Sequence, residues 1–163
     1  PHGRMASWHP GGMKGFECHY VDGLRSGPWT EWDTTGRVTR RAYYDDGAPW
    51  EGRCYLLDRK AWTAVFRGGE PWAGCVWGDW GHGYEERWYR NGEVVGTLRG
   101  GAPWEGSFLV WDWSRKLFFE TQYQAGEEAG RAPWDGVLVV WDDAAGGFVE
   151  RHFRSGGEAS PPR

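Results

Sequence analysis

Lysine, methionine, cysteine and long apolar runs are all scarce in this 163-residue chain, and each scarcity removes a class of function. Lysine occurs only as Lys14, Lys60 and Lys116, so 16 of the 19 basic residues are arginine, and 23 acidic residues leave a formal charge of −4. Nucleic acid and anionic membrane surfaces are bound chiefly by clustered cations that release counterions. Neither is therefore an expected partner. No apolar run approaches the roughly 18 residues of a membrane-crossing helix, and residues 1–15 lack the apolar block of a signal peptide, so a cytoplasmic chain is expected. Pro1 in place of Met leaves the native N-terminus open, with Met5 a candidate start.

The cysteines, Cys18, Cys54 and Cys75, are odd in number and lack Cys-x-x-Cys spacing, which fits neither a zinc site nor a closed disulfide framework. Reduced, mostly buried thiols are expected. The histidines His2, His9, His19, His82 and His152 are scattered, and Cys18-His19 points its two side chains to opposite faces of a strand, away from a nucleophile–base pairing. With no Gly-x-Ser-x-Gly, no phosphate-cradling loop and no His-Glu-x-x-His, neither catalytic residue, metal nor cofactor is expected.

What the chain has in excess is tryptophan, 14 residues, and glycine, 27. Aromatics at 17% bury more surface than a disordered chain can, so the chain folds. Pro-Trp recurs at Pro28-Trp29, Pro49-Trp50, Pro71-Trp72, Pro103-Trp104 and Pro133-Trp134, with Trp-to-Trp steps of 21, 22, 32 and 30. Three copies align without a gap over ten residues, from Pro49 to Asp58, Pro103 to Asp112 and Pro133 to Asp142. Such self-similarity marks a repeat architecture. Each repeat reads as a β-hairpin, an apolar run leading through a polar turn to a second run. Asn91-Gly92 signals an additional hairpin between Tyr84 to Arg90 and Glu93 to Leu98. Glycine and proline leave no stretch for a helix longer than two turns. The expected fold is all-β, an elongated single antiparallel sheet of stacked hairpins with about 10–12 strands. Residues 1–15 read as a loose N-terminal segment, 16–158 as the repeat domain and 159–163 as a flexible C-terminus.

The run Tyr20-Val21-Asp22-Gly23-Leu24-Arg25-Ser26-Gly27-Pro28-Trp29, followed by Trp32-Asp33-Thr34-Thr35-Gly36 and Tyr43-Tyr44-Asp45-Asp46-Gly47, resembles the bacterial variant of the MORN repeat. Trp88-Tyr89-Arg90-Asn91-Gly92 is similar to the same element, and Pro-Trp-(Glu/Asp)-Gly departs from it in the other repeats. The resemblance implies extended or curved hairpin sheets that act as binding scaffolds, several of them similar to immunity proteins encoded beside bacterial toxins. It implies no catalytic residue.

Alternation along the aligned strands sorts side chains onto two faces. One face carries Cys54 and Leu56, Phe108 and Val110, Leu138 and Val140; the other carries Tyr55 and Leu57, Leu109 and Trp111, Val139 and Trp141. The aromatic face, with Trp111, Trp141, Trp113 and Tyr55, is the candidate surface for a protein partner, since Trp, Tyr and Arg dominate interface hot spots. A packed ladder of the same rings is the rival account. Glu51, Glu105 and Asp135 recur after Pro-Trp, Thr30 and Ala73 break the series, and in-register stacking predicts an acidic edge suited to a basic partner such as a toxin. Asp33, Asp58, Asp112 and Asp142 sit where Asx-turns would start the hairpin loops. The functional expectation is a non-catalytic, protein-binding scaffold of antitoxin or immunity type. A glycan- or choline-type cell-wall-binding module and a structural subunit of a larger assembly are the alternatives.

Overall fold

A computed structural model describes residues 1–55, 63–79 and 84–161 of the chain. Among them there is no helix. The strands are β1 (Gly3–Trp8), β2 (Lys14–Val21), β3 (Leu24–Arg25), β4 (Gly27–Trp32), β5 (Val38–Asp45), β6 (Ala48–Tyr55), β7 (Thr63–Arg67) and β8 (Glu70–Asp79). They continue with β9 (Tyr84–Arg90), β10 (Glu93–Arg99), β11 (Ala102–Asp112), β12 (Leu117–Gln124), β13 (Glu127–Pro133), β14 (Gly136–Asp142), β15 (Gly147–Arg154) and β16 (Gly157–Ala159). A 13-stranded antiparallel sheet runs in chain order from β1 to β13, with β3 beside β2, and does not close on itself. The hairpin sheet expected from the repeats is thus present, with more strands than the spacing suggested.

Two features differ from expectation. Residues 3–8 are not loose: β1 pairs with β2 from Gly3 opposite Tyr20 to Trp8 opposite Lys14, across a turn in which His9 and Met13 close the backbone. Glycine and proline near this turn hide a strand whose pairing is made by the main chain. The last hairpin, moreover, leaves the long sheet and forms a three-stranded sheet of its own, β14-β15-β16.

The break falls at the third aligned copy. Pro103-Trp104-Glu105-Gly106 runs inside the single strand β11, with Gly106 at φ 105°. In the third copy β13 ends at Pro133, Trp134 and Asp135 belong to no strand, and β14 begins at Gly136. Trp134 is buried there, and a Cβ on Gly136 would come within 2.9 Å of its ring atoms, so the chain turns around this tryptophan.

The described residues contain seven two-residue turns with both central residues at positive φ, among them Asp22-Gly23, Asp46-Gly47, Gly68-Gly69, Asn91-Gly92 and Ala125-Gly126. This is the type I′ geometry, whose twist matches that of the flanking strands. The turns also correct the repeat frame. Gly47 lies in such a turn, whereas Gly27, placed level with it by the Pro-Trp motif, lies at the start of β4; the turn of the first repeat is Asp22-Gly23. Pro28-Trp29 is therefore out of frame with Pro49-Trp50.

The chain forms two compact units, Pro1–Trp72 with Trp141–Phe148, and Ala73–Val140 with Val149–Arg163. In the first, one sheet face packs Cys18, Ala42, Tyr44, Cys54, Ala64 and Phe66, all buried. Phe16 stacks on Trp29 at 5.8 Å, Trp29 meets Tyr44 edge-on at 6.0 Å, and buried Arg40 pairs with Glu31 at 2.5 Å. The other face receives residues 141–148. Asp143 Oδ1 accepts the Arg41 backbone N–H at 2.8 Å, Asp143 Oδ2 accepts Arg53 Nε at 3.0 Å, and Phe148 meets Trp72 at 5.7 Å.

In the second unit Phe108 and Phe119 are buried on one face, with Tyr123 edge-on to Phe108 at 5.7 Å. The opposite face brings Phe118 against Phe153 at 5.3 Å, and Asn91 holds β14 by accepting the Val139 N–H and donating to the Val137 carbonyl. In each unit the face opposite the buried cluster is partly apolar as well, and there a part of the chain's own last hairpin packs on it.

Candidate functional site

The structure separates the expected site residues by surroundings. Cys54 and Phe108, assigned to an interior face, are buried. Leu56, Leu57 and Asp58 lie outside the described residues, as does the side chain of Tyr55. Trp111 and Trp141, for which the sequence leaves a binding surface and a packed ladder as alternatives, are each half-buried. Trp141 belongs to the first unit, where it meets Phe148 at 5.2 Å, donates Nε1–H to Asp143 and lies over Gly52. No other residue fits at position 52, because a Cβ there would stand 2.7 Å from both the Arg41 carbonyl and the Trp141 ring. Trp111 belongs to the second unit and packs edge-on against Phe118 at 4.8 Å and Trp113 at 6.2 Å. Trp113 is the exception, 84% exposed just beyond β11.

The recurrent acids have a task within the fold. Glu51 Oε2 accepts the Gly68 N–H at 2.9 Å, Glu105 Oε1 accepts the Ala125 N–H at 3.3 Å, and Asp135 Oδ1 accepts the Ser155 N–H. In each case the carbonyl of the preceding tryptophan, Trp50, Trp104 or Trp134, accepts the N–H of the next turn residue, Gly69, Gly126 or Gly156. A Trp-acid pair thus caps both donors of a neighbouring turn that would otherwise face outward unpaired. Where Ala73 interrupts the series, the turn Asn91-Gly92 directs its side-chain amide to β14.

The Asx-turn expectation holds for the described members. Asp33 Oδ1 accepts from Thr35 and Arg37, Asp112 Oδ1 from Ser114 and Arg115, and Asp142 Oδ1 from Ala144 and Ala145. The Thr35 hydroxyl, and after it the backbone donors, holds the Asp33 carboxyl below its ordinary range; the Ser114 hydroxyl leads the same effect at Asp112. Cys54 and Cys75 are buried free thiols, and desolvation pushes both up to about 11, away from nucleophilic use.

Two places expose organised aromatic surface. In the second unit a chain of rings runs outward from buried Phe153 through Phe118 and Trp111 to Trp113. Exposed Arg115 and Lys116 follow it, while Asp112 pairs with Arg131 at 3.6 Å. In the first unit a cleft of about 480 Å³ is lined by Tyr43, Trp50, Trp141, Thr30, Arg41 and Glu51. It joins two residues proposed from the sequence as partner-binding, Trp141 and Glu51, with three that were not proposed for that role, Tyr43, Arg41 and Trp50. Trp50 was visible in the motif, but nothing local distinguished it from Trp104 or Trp134. Asp143, which seats residues 141–148, looks in the sequence like a second loop carboxylate beside Asp142.

Compared with protein-family models, curated proteins and solved structures, the chain matches none.

Proposed function

We propose that this chain is a non-catalytic, MORN-like repeat scaffold that binds a protein partner, with Trp113 as the anchor of the contact. The observation that carries the reading is the ring chain ending in solvent. A tryptophan 84% exposed is costly to leave in water, yet this one meets Trp111 edge-on, which in turn packs on Phe118 and through it on the core. A ring buttressed in this way loses little freedom when a partner closes over it, which is what makes tryptophan effective in hot spots. The immunity or antitoxin form of this role rests on the family resemblance and the net charge of −4. Glu51, Glu105 and Asp135, already engaged with turn N–H groups, contribute less than an uncommitted acidic edge would.

A photo-crosslinking residue at position 113, used in an extract of the cell that makes the chain, should capture one protein, whose purified form then binds the chain in solution. Trp113→Ala should weaken that complex by about 2 kcal/mol, roughly thirtyfold, and leave the thermal midpoint close to wild type. Undiminished affinity in Trp113→Ala would remove the anchor, and the reading with it.

A further inference from the structure

The three aligned Pro-Trp-acid-Gly copies give their rings different surroundings. Trp104 is covered by the Arg99 guanidinium, 3.7 Å from the ring centroid, and Trp134 is buried against Phe153. Trp50 is 44% exposed. The strand register supplies the reason. Arg99 stands opposite Ala102, two residues before Trp104, whereas the equivalent partner of Ala48, two residues before Trp50, is Asp45. A carboxylate cannot cap the electron-rich face of an indole as a guanidinium does. Trp50 is nonetheless held in place from below, since a Cβ on Gly69 would lie 3.2 Å from its ring.

The open ring faces the cleft with Tyr43, itself 44% exposed. Arg41, on the same wall, pairs with no carboxylate among the described residues, and its buried Nε has no hydrogen-bond partner. Glu51 spends Oε2 on Gly68, and Oε1 accepts nothing among the described residues. Thr30 adds a hydroxyl. The cleft thus presents flat rings, one cation, one anion and a neutral donor–acceptor, with no net charge. A ligand bearing a single charge is drawn to one of Arg41 and Glu51 and repelled by the other. A purely apolar ligand strips water from both and replaces none of the hydrogen bonds. A ring with a C–H face and a rim of hydroxyls, each both donor and acceptor, answers every group at once.

We infer that this cleft is a saccharide subsite, taking a neutral pyranose stacked on Trp50 with its hydroxyls on Arg41 and Glu51. The site lies wholly in the first unit and is independent of Trp113. The test screens the full chain against an array of neutral and acidic oligosaccharides, then titrates the methyl glycoside of the best-bound sugar by tryptophan fluorescence. A neutral saccharide should bind saturably, at least tenfold more weakly to Trp50→Ala and Glu51→Gln, and unchanged to Trp113→Ala. Tyr43→Ala, which alters an equally exposed ring, serves the same purpose if Trp50→Ala does not fold. An array without a bound sugar, a preference for acidic sugars, or equal binding by the Trp50→Ala and Tyr43→Ala chains overturns the assignment. A protein partner lost on Trp113→Ala beside an empty array would overturn the sugar site and leave the protein-binding reading standing. A protein partner lost on Trp50→Ala instead would assign the cleft to protein and overturn it as well.

Discussion

A buried thiol is a small side chain with a measurable consequence. Cys54 and Cys75 titrate near 11 in the fold because burial disfavours the thiolate, against an ordinary value near 9. A group whose folded value is raised stabilises the fold fully below the unfolded value and loses that contribution as pH climbs through the folded one. Urea midpoints should therefore hold up to about pH 9 and fall between there and pH 11. The Cys54→Ala, Cys75→Ala double variant should show a shallower alkaline decline, and an unchanged slope would place the titrating groups elsewhere. Trp113 makes the opposite point at the same scale. Its sequence neighbours gave it no more weight than Trp111, and only the end of β11, beyond which the chain turns, puts it outside.

At the level of strands and turns, most of the architecture could be read in advance because its signals are local. Asn91-Gly92 adopts the turn its sequence announced, and Asp33, Asp112 and Asp142 start their loops as short polar acceptors do. What escaped was non-local. PWDGVLVVWD and PWEGSFLVWD differ little, yet the first opens a separate sheet, because Trp134 is buried and Gly136 lacks the positive φ that keeps Gly106 within its strand. No pattern of residues 133–142 alone reports which surface will be available to cover them. The cleft was half legible for the same reason: Glu51 and Trp141 stood out as motif members, while Tyr43 and Arg41 join them only through pairing of β5 with β6 and the seating of residues 141–148. The turns offer a direct test of their geometry. Ala125 and Ser155 hold φ of 52° and 50°, where a side chain costs about 1 kcal/mol that glycine does not pay. Ala125→Gly should accordingly raise stability by up to about 1 kcal/mol in urea titrations. Glu105→Ala should lower it by about 1 kcal/mol, since the Ala125 N–H loses its acceptor. A double variant that merely sums the two would show that cap and turn strain act independently.

For the molecule as a whole, contacts fall into two ranges. Where the connections are described, neighbouring strands of the long sheet are joined by short turns, so their pairing closes small loops. The bonds from Asp143 to Arg41 and Arg53 span 102 and 90 residues, and the entropy of closing that loop is met only once both ends are ordered. Seating of residues 141–148 on the first unit is then a late event. Asp143→Ala should speed unfolding and leave the refolding rate nearly unchanged in stopped-flow chevrons, as expected of a contact absent from the transition state. A slowed refolding limb would move that contact into the nucleus.

The reach of the turn caps sets the step by which a gene for such a chain can lengthen. Glu51 to Gly68 spans 17 residues and Glu105 to Ala125 spans 20, so acceptor and donor always travel within one hairpin and the strand before it. A tandem duplication that copies the whole stretch carries both ends of the bond and adds a hairpin already capped. A breakpoint inside it strands a carboxylate without its turn, or a turn without its carboxylate. Whole-copy changes therefore keep the caps intact, while a change of copy number between Arg41 and Asp143 would have to preserve the bond that joins them across 102 residues.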